Sequence, residues 1–165
     1  MDPFSFELNE LLVSTYREIT RIEELVLRSL SKDTLSIAEL HILDVVGRDG
    51  CTVTEIAQSM AISMPSATIA VKKLEKKGYV TKERDGSDAR KVIIRLTLEG
   101  RKAEAAHHWF HREMVRNVEK AVPAQDQKTL LYAVRELNVF FTQKAHELEE
   151  AYKLDDPEKN EGETV

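Results

Sequence analysis

Apolar residues recur every three or four positions through most of the chain, and this period predicts helices. One long amphipathic helix is predicted over residues 4–30, with the apolar positions Leu8, Leu11, Leu12, Ile19, Ile22, Val26 and Leu30. Ser36-Ile-Ala-Glu39 and Thr52-Val-Thr-Glu55 both have the spacing of a capping box, so each should start a helix. Ser63 is a suitable N-cap for a further helix, which should end at Gly78.

The period changes from 3.6 to 2 after Gly78. This change predicts strands over 79–84 and 91–96, in which Val92, Ile94 and Leu96 share one face. The turn Asp85-Gly-Ser-Asp88 would join them as a hairpin. A helix should follow Gly100, and a last helix is predicted to start at Pro123. Its apolar seam has heptad-like steps and consists of Leu130, Val134, Leu137, Phe141, Ala145, Leu148 and Tyr152.

This order of elements predicts a mainly α fold with a small β-hairpin wing. Residues 36–97 would form a winged helix-turn-helix DNA-binding domain. Residues 1–35 and 98–154 would supply dimerisation helices, and 155–165 a disordered acidic tail. The outer helices carry more apolar surface than the small central core can cover. A homodimer with twofold symmetry is the common way to bury such surface.

Composition narrows the class of protein further. The chain has 165 residues and one cysteine, Cys51, which excludes an internal disulfide and favours an inert, packed thiol. The longest apolar run, 130–134, is too short to span a bilayer. The first twelve residues contain acids and no basic leader, so a cytoplasmic protein with no membrane partner is expected.

The charge is distributed unevenly. The formal net charge is −5, yet residues 72–102 contain eleven basic and five acidic side chains, a local charge of +6. A compact basic segment in an acidic chain is typical of a surface that binds a polyanion. A solvated helix face followed by a turn is the alternative interpretation.

The stretch LEKKGYVTKERDGSDARKVIIRLTLEGRK resembles the MarR family of winged-helix repressors. The resemblance rests on Asp88-Ala-Arg90 in the wing and on Leu96-Thr97-Leu-Glu-Gly100 after it, and it extends over about 8–148. It implies a homodimeric repressor that binds a pseudo-palindromic operator in double-stranded DNA. The residues implied to bind DNA are Ser63, Pro65, Ser66, Thr68, Ile69, Lys72, Lys73, Asp88, Arg90 and Lys91.

The resemblance also implies roles for these residues. The helix after Ser63 would enter the major groove, where hydroxyls and lysines contact phosphates or base edges and Ile69 meets a thymine methyl. Arg90 would enter a narrow A·T-rich minor groove, and Asp88 would orient it. Ala89 replaces a second arginine that is frequent in the family, so one backbone contact is lost.

RIEELVLRSLSKDTLSIAELHILDVVG and HHWFHREMV resemble the FabT-type subgroup, the repressors of fatty-acid synthesis. In that subgroup acyl–acyl carrier protein is the corepressor. The resemblance implies an acyl pocket among Leu25, Leu43, Trp109, Phe110 and Met114. The alternative is that these side chains are plain core.

His107 and His111 are four residues apart on a helix, a spacing that suits a divalent metal. A zinc-sensing branch of the family has one glutamate and three histidines as ligands. The matching residues here are Glu23, His41, His107 and His111. They could instead form a buried hydrogen-bonded cluster without metal. His108 is expected to face away into solvent.

Two other functional classes are disfavoured. The sequence has no motif with the local context of a catalytic nucleophile, so we expect neither an enzyme nor a required cofactor. A winged helix that contacts only protein would have no use for Lys72, Lys73 and Arg90.

Overall fold

The computed structural model describes residues 2–30, 35–84 and 91–154. The order of its elements is α1 (Pro3–Leu30), α2 (Ile37–Val46), α3 (Val53–Ser59), α4 (Met64–Lys76), β1 (Val80–Arg84), β2 (Val92–Leu96), α5 (Leu98–Ala121) and α6 (Gln127–Leu154). The predicted order of elements, and with it the mainly α winged-helix fold, is confirmed. The turn at 85–88 and the acidic tail at 155–165 lie outside the described residues.

The chain divides into two compact units, residues 1–113 and 114–165. The first contains a winged helix made of α2, α3, α4 and the hairpin. The predicted functional segments, with boundaries at 35, 97 and 154, stay a prediction. None of the described helices combines the length and apolar character of a membrane span.

Capping explains where the three short helices begin. Ser36 and Thr52 each accept a hydrogen bond from the backbone N–H three residues on, and Glu39 and Glu55 accept one in return from the cap backbone. Ser63 likewise accepts from the backbone N–H of Ser66. Each side chain satisfies an amide that helix geometry leaves without a partner.

The core lies in the winged helix. Burial of an aliphatic side chain contributes about 1.5–3 kcal/mol. The largest fully buried side chains are Leu40, Leu43, Val46, Ile56, Val71, Leu74, Val80 and Ile94.

The wing is an antiparallel pair in which Val80 faces Leu96 and Arg84 faces Val92. On the face predicted for Val92, Ile94 and Leu96, the last two are buried, but Val92, at the outer end, is exposed. Cys51 extends the pair by a β-bridge to Ile94, its N–H donating to the Ile94 carbonyl at 3.1 Å.

A close contact holds the base of the wing to α5. The Thr97 hydroxyl donates to the Gly78 carbonyl at 2.7 Å and accepts from the Gly100 N–H at 3.1 Å, which caps the helix. A Cβ on Gly100 would collide with the Tyr79 carbonyl oxygen. The Leu-Thr-x-x-Gly pattern therefore encodes a helix cap and a contact that only glycine allows.

The last helix begins at Gln127, so the predicted start at Pro123 is wrong. Residues 124–126 form a turn in which the Asp126 N–H donates to the Pro123 carbonyl at 2.8 Å. The Asp126 carbonyl then accepts from the Leu130 N–H at 3.0 Å. Pro123 thus precedes the turn at 124–126, and α6 begins after this turn, at Gln127.

Candidate DNA-binding surface and Glu/His clusters

Helix α4 presents one face to the core and the other to solvent. Ala67, Val71 and Leu74 are buried, at the three- and four-residue spacing of one helix face. Proline at position 65 is tolerated because the first turn has no intrahelical partner for its amide.

The predicted DNA-binding residues of α4 lie together on its outer side. Thr68 is half-buried, whereas these residues are exposed: Ser63, Pro65, Ser66, Ile69, Lys72 and Lys73. Lys91, just before β2, is exposed as well. Asp88 and Arg90, together with Ala89, lie outside the described residues.

The hydroxyls on this face already make local contacts. The oxygens of Ser63 and Ser66 are 2.8 Å apart, and the Thr68 hydroxyl donates to the Met64 carbonyl at 2.8 Å. Phosphate oxygens only accept hydrogen bonds, so Thr68 in this conformation has no proton to offer them. Lys72, Lys73 and Lys76 are the exposed cationic donors of the helix, and the first two belong to the predicted DNA-binding set.

Other basic residues of the segment have structural partners. The Lys77 ammonium contacts Glu39 at 2.7 Å, and the Arg95 guanidinium contacts Glu83 at 2.8 Å. These two pairs connect α4 to α2 and β2 to β1.

The five residues predicted to line an acyl pocket have different environments. Leu43 is fully buried in the winged-helix core, while Phe110 and Met114 are half-buried. Leu25 and Trp109 are 53% and 58% exposed. Leu43 therefore fits the core interpretation, and the acyl pocket stays a prediction.

The four predicted metal ligands belong to three helices, and the structure brings them together. Glu23 Oε1 lies 3.3 Å from His111 Nε2, 3.5 Å from His107 Nε2 and 3.6 Å from His41 Nε2. The Nε2 atoms of His107 and His111 are 2.9 Å apart. Ligands bonded at 2.0–2.1 Å in a tetrahedron lie about 3.3–3.4 Å from one another, close to the three Glu23 distances. Glu23, His41 and His107 offer donor atoms that all lie within 4.8 Å of one another, so these three side chains fit a zinc ion, with His111 beside them.

Burial favours the metal-binding form of His107. Glu23 and His107 are both buried. Burial lowers the pKa of His107, and the charge of His111 lowers it further, so the ring is neutral at pH 7. A neutral imidazole has the lone pair that a metal requires.

A second cluster lies beside the first and was missed by sequence reasoning. His108 Nε2 is 2.9 Å from Asp44 Oδ1 and 3.1 Å from Glu104 Oε1. The His108 side chain is 47% exposed, as expected, and two carboxylates contact its ring. The spacing of Glu104 and His108 was a signal for this pair, but nothing local indicated Asp44 on α2.

Cys51 is buried, as predicted. Burial raises the pKa of its thiol to about 11, with the Glu55 carboxylate as a second cause. The thiol is therefore protonated at neutral pH, which suits packing and disfavours a redox role.

Comparisons with known proteins agree with this architecture. A model of the MarR family matches residues 33–91. The crystal structure of Streptococcus pneumoniae FabT in complex with DNA is similar, with a TM-score of 0.73 and 27% identity. That similarity covers 84% of this chain and 98% of FabT.

Two curated relatives are transcriptional regulators. BilQ of Clostridium symbiosum is 29% identical over 119 residues, which cover 71% of this chain and 81% of BilQ. AdcR of Streptococcus pneumoniae is 29% identical over 90 residues, which cover 54% of this chain and 60% of AdcR. The relatives are regulators and not enzymes, which confirms the prediction that this chain is not an enzyme. With the winged-helix fold, these similarities show that the chain is a DNA-binding transcriptional regulator whose residues 33–91 match the MarR family.

Proposed function

We propose that the protein is a homodimeric repressor that binds a pseudo-palindromic operator and controls fatty-acid synthesis genes, with acyl–acyl carrier protein as corepressor. The observation that carries the proposal is the similarity to DNA-bound FabT over 98% of FabT's length. The FabT-type sequence segments around residues 21–47 and 107–115 support the same subgroup.

Exposed apolar residues support a homodimer. Phe4, Phe6 and Leu11 are exposed on α1, and Val134, Phe140 and Phe141 on α6. Exposed apolar side chains on each of these helices mark an interaction site, and a second copy is the common partner in homo-oligomers.

In the proposed complex, α4 of each protomer enters the major groove. Lys72 and Lys73 neutralise phosphates, while Ile69, 55% exposed, contacts a thymine methyl. Arg90 of the wing enters the minor groove. Twofold symmetry places the two α4 helices about 34 Å apart, one turn of the DNA.

The corepressor acts by population shift in this proposal. The acyl chain lies near Leu25, Trp109 and Phe110, and it stabilises the spacing of the two α4 helices that fits the operator. The exposure of Leu25 and Trp109 supports this position, because a ligand or a second protomer would cover them.

Fluorescence anisotropy tests the proposal with labelled promoter DNA of fatty-acid synthesis genes from the host. We expect salt-sensitive binding that tightens when long-chain acyl–acyl carrier protein is added and is unchanged by the unacylated carrier. If the protein binds the DNA but the acylated carrier does not tighten binding, acyl–acyl carrier protein is not its corepressor. If folded protein does not bind this DNA either with or without the acylated carrier, the fatty-acid synthesis genes are not its target.

Arg90→Ala tests the wing. We expect operator affinity to fall about 5- to 150-fold, taking the roughly 1–3 kcal/mol that a base-contacting arginine contributes. Arg135→Ala removes the same charge from an exposed position on α6 and is the matched control. Equal affinities for the two variants would contradict the role of Arg90.

Zinc sensing is a second candidate function, which the geometry of Glu23, His41, His107 and His111 favours. The zinc ion would be held by these four side chains, and its charge would compensate the buried Glu23 carboxylate. His41 is on α2, within the winged helix. Zinc binding at this cluster would therefore be coupled to the DNA-binding domain.

Elemental analysis of protein purified without chelator tests this candidate. We expect a tightly held zinc ion that His107→Ala and His111→Ala remove, with a matched His146→Ala control on α6 that retains it. Operator binding should then depend on zinc. Metal-free protein whose DNA binding ignores added zinc would exclude zinc sensing.

A further inference from the structure

We propose that Asp44, Glu104 and His108 form a second site for a divalent transition-metal ion, adjacent to the Glu23 cluster. The three side chains offer one donor atom each, and all three atoms lie within 4.8 Å of one another. Asp44 comes from α2, while Glu104 and His108 are one turn apart on α5. The inference does not depend on the identity of the operator or the corepressor.

The distances suit a six-coordinate ion. His108 Nε2 lies 2.9 Å from Asp44 Oδ1 and 3.1 Å from Glu104 Oε1. Adjacent ligands in an octahedron with bonds of about 2.1–2.2 Å are about 3.0 Å apart, shorter than the edges of a tetrahedral zinc site. Two carboxylates and one imidazole suit manganese and related divalent ions, with water in the remaining positions.

A buried atom indicates that the cluster is more than an ion pair. Asp44 Oδ1 is buried and, among the described residues, has no hydrogen-bond partner. The 2.9 Å contact with His108 therefore lacks the direction of a hydrogen bond. A buried carboxylate oxygen without a donor is costly, and a cation would compensate it.

Asp44 also lies between the two clusters. Its Oδ1 atom is 3.8 Å from His107 Nδ1, which is likewise buried without a hydrogen-bond partner among the described residues. Carboxylates in this position commonly orient a metal-binding histidine through its second nitrogen. Asp44→Asn would therefore disturb both clusters and is unsuitable as a test of either.

The environment limits the affinity of the proposed site. Arg48 and Arg112 line a cavity of about 230 Å³ beside Glu104 and His108, and their positive charges oppose a cation. The cavity provides room for water ligands. We expect binding weaker than at a four-ligand zinc site, and detectable by direct titration.

Titration of the full-length protein with Mn²⁺, followed by the electron paramagnetic resonance signal of the free ion, tests the site. We expect His108→Ala and Glu104→Gln each to weaken Mn²⁺ binding at least tenfold. His146→Ala, the matched loss of an exposed histidine, should bind as the wild type does. His41→Ala removes a ligand of the Glu23 cluster only and should retain Mn²⁺ binding.

Two outcomes would overturn the proposal. One is Mn²⁺ binding by folded His108→Ala and Glu104→Gln at wild-type strength, and the other is no binding by the wild type. If His41→Ala loses Mn²⁺ binding and His108→Ala keeps it, the ion belongs to the Glu23 cluster and not to the proposed site. Circular dichroism checks that each variant is folded, and operator binding without metal reports separately on the proposed function.

Discussion

At the residue scale, the Glu39 carboxylate joins two parts of the winged helix. It accepts from the Ser36 N–H at 2.8 Å, which closes the capping box of α2, and it pairs with Lys77 just after α4. Burial raises the pKa of Glu39, but hydrogen bonds from Lys77 and Ser36 outweigh it, so the pKa lies below 4.5.

Because its pKa is lowered, the contribution of Glu39 to the free energy of unfolding depends on pH. The folded protein holds this proton less tightly than the unfolded chain, so the stabilisation is complete above about pH 5.5 and is lost as the pH falls through the folded pKa. We expect Glu39→Gln to reduce the free energy of unfolding by about 1–3 kcal/mol at pH 7 and by less at pH 4.

Urea unfolding at the two pH values measures the difference. Glu99→Gln is the matched control, because the Glu99–Lys102 pair is largely exposed and its loss should cost under about 1 kcal/mol. A Glu39→Gln effect of equal size at both pH values would contradict the role of the ionised carboxylate.

At the element scale, the joint between the wing and α5 depends on the missing side chain of Gly100. We expect Gly100→Ala to destabilise the fold by about 2–3 kcal/mol, because the new methyl group would overlap the Tyr79 carbonyl oxygen. Gly78→Ala is the comparison. Its φ of 79° is strained for alanine, but no atom lies within 4 Å of the new Cβ, so the cost should be only about 1–2 kcal/mol.

Thermal unfolding of both variants by circular dichroism provides the measurement. Gly100→Ala should unfold at the lower temperature. If Gly78→Ala is the less stable variant, backbone conformation and not the close contact limits this part of the fold.

The same scale shows why some elements are predictable from sequence. The caps at Ser36, Thr52 and Ser63 act over three residues, so their signal is local and each helix was predicted with its correct start. The Cys51–Ile94 bridge and the contact of Asp44 with His108 join residues far apart in sequence. Their formation depends on packing, which no short pattern encodes.

The candidate site residues also divide into those with a local sequence signal and those without one. His107 and His111 are adjacent by helical spacing and were identified from it, whereas Glu23 and His41 came from family resemblance. The structure brings all four together. The environment of Leu43 was not predictable, because an apolar residue on a helix has the same pattern in a core and in a ligand pocket.

At the scale of the whole molecule, the chain leaves much apolar surface uncovered. Phe141 is 59% exposed on the predicted seam of α6. We expect Phe141→Glu to convert a dimer into a monomer of 18.8 kDa, since a charge in an apolar interface remains without a partner.

Light scattering coupled to size-exclusion chromatography measures the mass of each species. Gln143→Glu places the same charge at an exposed position two residues away, off the seam, and should leave the mass unchanged. A Phe141→Glu protein that keeps the wild-type mass would exclude this face from the interface.

The contact between Gly100 and Tyr79 also has a mechanical consequence. Because no gap remains at this contact and Thr97 is hydrogen-bonded to both sides, we expect α5 and the two strands to move together as one rigid unit. A strand of five residues extends about 16 Å. A tilt of α5 by about 5° would thus swing the far end of the strands by about 1.4 Å. A binding event that tilts α5 would in this way displace the wing without contacting α4.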